Sequence, residues 1–288
     1  MCYLADIPGG VRISVRVARK RTVPPIEERG WGSRHEQRPI KMEDMRNTTS
    51  IGRIGLIAVL AFVLQSACSD RLFDNPFDPD FGEALIEVVN TISTPAPWPR
   101  GLAWDGTTLW NVDASSNTLY SLNRLNGSIV RALSSPLPGT SGIAYDGRDL
   151  WVCGIETPFV FKISVLNGDI QRRLNLQKGA FTAVAFGREA LWLADHLSNR
   201  ILEVDPETAE VLSSFPNPGP RANGLAFDGS SLWIADSSTL SITRVSLTGQ
   251  VLNRYLTPGQ SPQGLAHDGV FLWNADGGRK IFQMKIGN

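Results

Sequence analysis

Five tryptophans, each preceded by leucine, recur down the chain from residue 110 onward: Trp110, Trp151, Trp192, Trp233 and Trp273, spaced 41, 41, 41 and 40 residues apart. Each follows a related unit: Gly101-Leu-Ala-Trp-Asp-Gly106, Gly142-Ile-Ala-Tyr-Asp-Gly147, Ala183-Val-Ala-Phe-Gly-Arg188, Gly224-Leu-Ala-Phe-Asp-Gly229 and Gly264-Leu-Ala-His-Asp-Gly269. An apolar run ending in Asp-Gly is the signal of a strand followed by a tight hairpin turn. Repetition of such short strands at a near-constant interval restricts the chain to repeated small sheets.

One repeat reads as four strands. The first surrounds Leu102-Ala103-Trp104, the second spans Thr108–Asp113, the third Thr118–Leu122 and the fourth Ser128–Leu133, with turns at Asp105-Gly106, Ala114–Asn117 and Asn126-Gly127. The last repeat supplies only three strands, ending at Lys280–Ile286, and Ala84–Ile92 supplies the missing fourth. A strand from one terminus completing three from the other closes a ring and removes exposed sheet edges. The expected fold is therefore all-β, a five-bladed β-propeller over 84–288. The pattern resembles the YVTN, NHL and gluconolactonase-like propeller repeats. The residues that carry this are the Gly-Leu-Ala-aromatic-Asp-Gly units, the Leu-Trp pairs and the following Asp113, Asp195, Asp236 and Asp276. The chain is also similar to secreted bacterial propellers labelled glutaminyl-peptide-cyclotransferase-like, without showing the catalytic constellation of that activity. The resemblance implies a fold and leaves the chemistry open, because propellers host unrelated activities.

Ahead of the repeats the sequence changes character. The chain through Ala67 holds 11 basic and 6 acidic residues, and the remainder 17 and 22. A mildly acidic body lacks the basic stripe that nucleic acid demands. Residues 45–67 have the form of a signal peptide: a short basic segment to Arg53, the apolar run Ile54 to Leu64, then Gln65-Ser-Ala-Cys68. That run is too short to span a bilayer. Small residues before Cys68 resemble a bacterial lipobox, which implies lipidation of Cys68. Gln65 stands where an aliphatic residue is usual, so conventional cleavage nearby or a retained anchor stays open. Ser69 after the lipidated cysteine is compatible with outer-membrane sorting in a two-membrane bacterium. Residues 68–83, acidic and broken by proline, suit a tether. Residues 1–44 are Arg-rich and read as neither signal nor domain: an over-extended start ahead of Met45, or a disordered cytoplasmic tail. Once Cys68 is lipidated, Cys153 has no partner in the folded domain and reads as an inert core thiol.

The repeats separate scaffold from function. An aromatic at the same place in five strands packs between neighbouring sheets, each ring burying about 150–250 Å². The Asp-Gly pairs serve turns. By contrast Arg100, Ser141, Thr182, Asn223 and Gln263, immediately before each inner strand, are all polar and all different. They are expected to ring the mouth of a central channel, with Trp98, Phe181 and Arg221 in the loops leading into it. Glu156, Asp195 and His196 come near in the turns between second and third strands. A concave polar centre is the default binding site, and a water-filled channel mouth is the alternative. No cofactor motif is present. His196 and His267 are too few for a three-histidine zinc site, while Asp113, Asp195, Asp236 and Asp276 are weak candidates for calcium. His267 fills the slot held elsewhere by Trp104, Tyr145, Phe186 and Phe227, which favours packing. The expectation is an exported, membrane-anchored, monomeric lipoprotein that binds a cell-envelope protein or small molecule through this mouth. The alternative is a calcium-dependent lactonase-like hydrolase or a peptide cyclotransferase, with Glu156, Asp195 and His196 as acid/base groups and Arg100 or Arg221 as an anion clamp.

Overall fold

The computed structural model describes residues 2–6, 12–16 and 86–287, and every regular element among them is a strand. The signal-like segment 45–67 and the tether 68–83 with Cys68 lie outside the described residues. Near the start, β1 (Cys2–Asp6) and β2 (Arg12–Arg16) pair antiparallel, Cys2 opposite Arg16. They belong to one unit, Met1–Asp70, and every other strand to a second, Arg71–Asn288.

The second unit is the five-bladed propeller. After β3 (Ile86–Ser93), blade 1 comprises β4 (Pro99–Trp104), β5 (Leu109–Asp113), β6 (Thr118–Leu122) and β7 (Ile129–Ser134). Blade 2 is β8 (Thr140–Tyr145), β9 (Leu150–Gly154), β10 (Phe159–Ile163) and β11 (Ile170–Asn175). Blade 3 follows as β12 (Phe181–Gly187), β13 (Ala190–Asp195), β14 (Arg200–Val204) and β15 (Val211–Pro216). Blade 4 is β16 (Ala222–Phe227), β17 (Leu232–Asp236), β18 (Ser241–Val245) and β19 (Val251–Leu256). Blade 5 takes β20 (Pro262–His267), β21 (Leu272–Asp276) and β22 (Lys280–Ile286) from the end of the chain and β3 from its front, in the order β20-β21-β22-β3. Ile286 lies opposite Ile86 and Lys280 opposite Ser93, so the ring closes where the strand count required.

The repeated Asp and Trp form one device. Asp105 Oδ1 accepts the main-chain N–H groups of Thr107 and Thr108, which tightens the turn, and Oδ2 accepts Trp110 Nε1–H at 2.8 Å. The same bond joins Trp151 to Asp146 (2.9 Å), Trp233 to Asp228 (2.9 Å) and Trp273 to Asp268 (2.8 Å). The carboxylate thus satisfies the one polar atom of an otherwise buried ring. Blade 3 has Gly187 in place of the aspartate, and Trp192 donates to its carbonyl at 3.3 Å. The tryptophans pack between neighbouring blades: Trp110 with Ile143 and Val152 of blade 2, Trp192 with Leu225 and Ile234 of blade 4's sheet, Trp273 with Leu102 and Leu109 of blade 1.

At the axis the inner strands β4, β8, β12, β16 and β20 approach so closely that no channel runs through. A Cβ on Gly264 would lie 2.2 Å from Arg100 O, and one on Gly224 2.1 Å from Gln263 O. The waist between Gly101, Gly142, Ala183, Gly224 and Gly264 has no volume for a water. Glycine here serves close backbone approach, and the expected channel becomes two separate mouths.

Candidate functional site

We call the mouth where the inner strands begin the N-mouth and the one where they end the C-mouth. In every blade the ladder between first and second strands slips at the N-mouth, at or beside Arg100, Ser141, Thr182, Asn223 and Gln263. A bulge of this kind bends a strand and re-aims a side chain, which is why these five positions differ in chemistry from the strand that follows.

Of the five side chains, Arg100, Asn223 and Gln263 meet one another, while Ser141 and Thr182 bond main-chain carbonyls of the next blade. Ser141 Oγ donates to Phe181 O of blade 3 at 2.7 Å, and Thr182 Oγ1 to Ala222 O of blade 4 at 2.6 Å. Asn223 Nδ2 (3.1 Å) and Arg100 Nη1 (2.9 Å) both donate to Gln263 Oε1, and Gln263 Nε2 donates to Ser261 Oγ. Four of the five blade junctions are therefore stitched by this ring, and only that between Arg100 and Ser141 lacks such a bond. Ser141, Asn223 and Gln263 are buried.

The aspartates are caps. Asp113 accepts the N–H of Trp98 at 2.7 Å and bonds from Ser115 and Ser116. Asp195 accepts Ala180 N–H at 3.0 Å with Leu197 and Ser198; Asp236 accepts Arg221 N–H at 2.7 Å; Asp276 accepts Ser261 N–H at 2.8 Å. Each carboxylate ties the loop leading into its blade to the turn leaving the second strand. Burial pulls the Asp113 and Asp195 carboxyls upward, but these hydrogen bonds outweigh it and hold both below the ordinary range. Blade 2 has Gly154 at this place, and the main chain of Gly139 closes up, its carbonyl 3.1 Å from where a Cβ would be. Among the described residues no three His, Cys, Asp or Glu side chains converge as metal ligands.

Of the remaining sequence-predicted residues, Trp98 is 62 % exposed at the N-mouth, and Arg221, His196 and Glu156 are also exposed. Phe181 is not at the surface: it opens β12 and is fully buried with Val184 and Leu193. Its ring packs inward, which removes it from any ligand surface. His196, Arg221, Asn217 and Asp195 line a crevice between blades 3 and 4 with room of about 10 Å³, and the buried Asn217 Oδ1 there has no hydrogen-bond donor. Cys153 is buried, and burial pushes its thiol up to about 12, so it is no nucleophile.

The C-mouth holds what the sequence reading did not single out as a cavity. Trp104, Tyr145, Phe186, Phe227 and His267 line a cup of about 70 Å³. His267 Nδ1 accepts Gly269 N–H at 3.2 Å, and burial, opposed by Asp228 and Asp268, lowers its pKa. The signal was present in the aromatic residue three places after each glycine or alanine of the waist.

Comparison with family models finds no match, and neither does comparison with curated proteins. Among solved structures, glutaminyl cyclase of Myxococcus xanthus superposes with a TM-score of 0.61 at 12% identity, covering 71% of this chain and 98% of that one. Selenomethionine-substituted virginiamycin B lyase from Staphylococcus aureus gives 0.44 at 21% identity over 67% of each chain. A streptogramin B lyase gives 0.45 at 15% identity, covering 73% of this chain and 100% of that one. The first of these likenesses is one of fold.

Proposed function

We propose that the chain is an exported lipoprotein, tethered through Cys68, whose propeller binds a small ligand non-covalently at the N-mouth. The observation that carries this reading is the fixing of four aspartates at the mouth. Asp113, Asp195, Asp236 and Asp276 each accept main-chain N–H groups of their own blade. A general acid or base needs a pKa near the working pH, and Asp113 and Asp195 are held away from it. What stays available is a rigid, hydrogen-bonded ring with Trp98 and Arg221 exposed beside it, the arrangement of a preorganised receptor. A thermal-shift screen of small organic molecules tests it. Ligands that raise the Tm of the wild type should lose their effect in Trp98→Ala and keep it in Leu166→Ser, an exposed control away from the mouth. Stabilisation unchanged in Trp98→Ala overturns the assignment.

One observation favours a second reading, that of an enzyme: the superposition on glutaminyl cyclase spans 98% of that chain. In this reading Glu156, Asp195 and His196 supply proton transfer and Arg100 or Arg221 clamps an anion. Incubation with peptides bearing an N-terminal glutamine separates the two. Loss of ammonia, seen by mass spectrometry and abolished in Glu156→Gln, supports the enzyme; intact peptide supports the receptor. A calcium-dependent hydrolase would in addition require the capping aspartates to leave their turns.

A further inference from the structure

Independently of the N-mouth reading, we infer that the C-mouth is a second binding site and takes a small soluble organic cation of the quaternary-ammonium class. Its cup of about 70 Å³ is walled by Trp104, Tyr145, Phe186, Phe227 and His267, at the ends of the five inner strands. The four aromatics pack with one side on the clusters between blades. Yet all five residues stay half-buried, whereas the second-strand tryptophans are buried, and their identity varies from blade to blade. A position that stays partly open and differs between repeats is free to specify a ligand.

The charge around the cup is negative. Two sets of turns lie at this end of the molecule, those between first and second strands (105–108, 146–149, 188–189, 228–231 and 268–271) and those between third and fourth (123–128, 164–169, 205–210 and 246–250). Together they hold ten acidic residues and three basic ones. Lys162 and Arg244, in the third strands, answer Asp146 and Asp228. Asp105, Glu189 and Asp268 enter no ion pair among the described residues. The field reaches the cup itself: burial first, then Asp105, Asp146 and Asp149, raise the pKa of the Tyr145 hydroxyl. Burial lowers that of His267 against the pull of Asp228 and Asp268, which leaves its ring uncharged at neutral pH.

An aromatic wall in a negative field favours a cation whose own surface is apolar, because the rings attract it and it gives up little hydration. The chain already supplies one such contact: the Arg124 guanidinium stands 5.8 Å from the centroid of the Trp104 ring. A hard metal ion would need several oxygen ligands, and among the described residues no three His, Cys, Asp or Glu side chains converge. The cup is far smaller than the about 300 Å³ or more of a drug-sized site, so it admits a group the size of trimethylammonium rather than a large molecule.

Saturation-transfer NMR on the full chain tests this, with choline, its neutral isostere 3,3-dimethylbutan-1-ol and calcium chloride as probes. Choline should give saturable transfer in the millimolar range, and the neutral alcohol should not. Trp104→Leu and Phe227→Leu keep apolar bulk while removing a ring, and each should weaken choline about threefold or more, the loss expected for one cation–π contact. The two stand on different blades, so either one carries the test if the other fails to fold. No saturable transfer from choline, equal binding of choline and the alcohol, choline binding untouched in both leucine variants, or calcium displacing choline at the lower concentration each overturns the inference. Choline lost in Trp98→Ala but kept in both leucine variants would place the cation at the N-mouth and overturn the second site while leaving the first.

Discussion

At the scale of single residues, the Asp–Trp bonds of blades 1, 2 and 4 make stability depend on acid. Burial raises the carboxyls of Asp105, Asp146 and Asp228, but hydrogen bonds from their turns and tryptophans, and for Asp146 from Lys162, hold them below the ordinary value. A carboxyl whose folded pKa is depressed stabilises the fold above its unfolded value, about 3.9, and that stability is lost as pH falls toward the folded value. The Tm should stay level from neutral pH to about 4 and drop below it. Asp228→Asn should lower the neutral Tm and flatten the acid drop; a drop as steep as in the wild type would contradict this role. A second prediction concerns Asn111 and Asn274, whose buried Oδ1 atoms lack donors. Blades 2, 3 and 4 carry Val152, Leu193 and Ile234 there, but Asn274 Nδ2 donates to Gly264 O and Ala275 O, so Asn274→Val should cost about 1 kcal/mol or more in urea unfolding, and an unchanged midpoint would contradict a role for these bonds. The period of tryptophan and Asp-Gly was plain in the sequence. The bond between them was not, since a spacing of five residues becomes a contact only across a hairpin. Nor was the inward turn of Phe181, which reads as a loop residue until the bulge at Thr182 fixes which side it faces.

At the scale of the element, blade 3 departs from its siblings and shows why they share Asp-Gly. Its first hairpin places Arg188 (φ 56°) and Glu189 (φ 63°) in the left-handed region, where Asn and Gly fit at less cost. The double change Arg188→Asn, Glu189→Gly should raise stability by about 1 kcal/mol or more. Restoring the aspartate of the other blades by Gly187→Asp should do the reverse, because a Cβ there would lie 2.1 Å from the Phe227 ring. Chemical denaturation of the two variants gives opposite shifts in midpoint if this account holds, and both shifts upward would refute the packing argument. Strand positions and turns were legible from alternation and turn chemistry. The bulges that aim Arg100, Ser141, Thr182, Asn223 and Gln263 were not, since nothing in composition marks a slipped register. The β1–β2 pair was also passed over, although Gly9-Gly10 before the alternating Val11, Ile13 and Val15 is a hairpin signal.

At the scale of the whole molecule, ring closure is the expensive step, because β3 must find β22 almost two hundred residues away. Ile92 enters the cluster between blades 5 and 1, and Ile86 packs on that between blades 4 and 5. A chain beginning at residue 84 should unfold cooperatively like the full chain, whereas one beginning at 95 exposes the β22 edge and should aggregate. Equal stability of the two would mean that closure does not depend on β3. The closed ring was readable from counting strands. The closed waist was not, because the glycines that allow it look like the start of a strand until five of these edges meet at one axis. That waist leaves the N-mouth shallow, the form that the proposed receptor requires. Native mass spectrometry of the full chain purified from an exporting bacterium, with and without chelator, tests this most directly. We predict a small organic molecule bound to the wild type, retained after chelation and absent from the Trp98→Ala, Arg221→Gln double variant. The same adduct on both proteins, or a metal removed by the chelator in its place, would contradict the account.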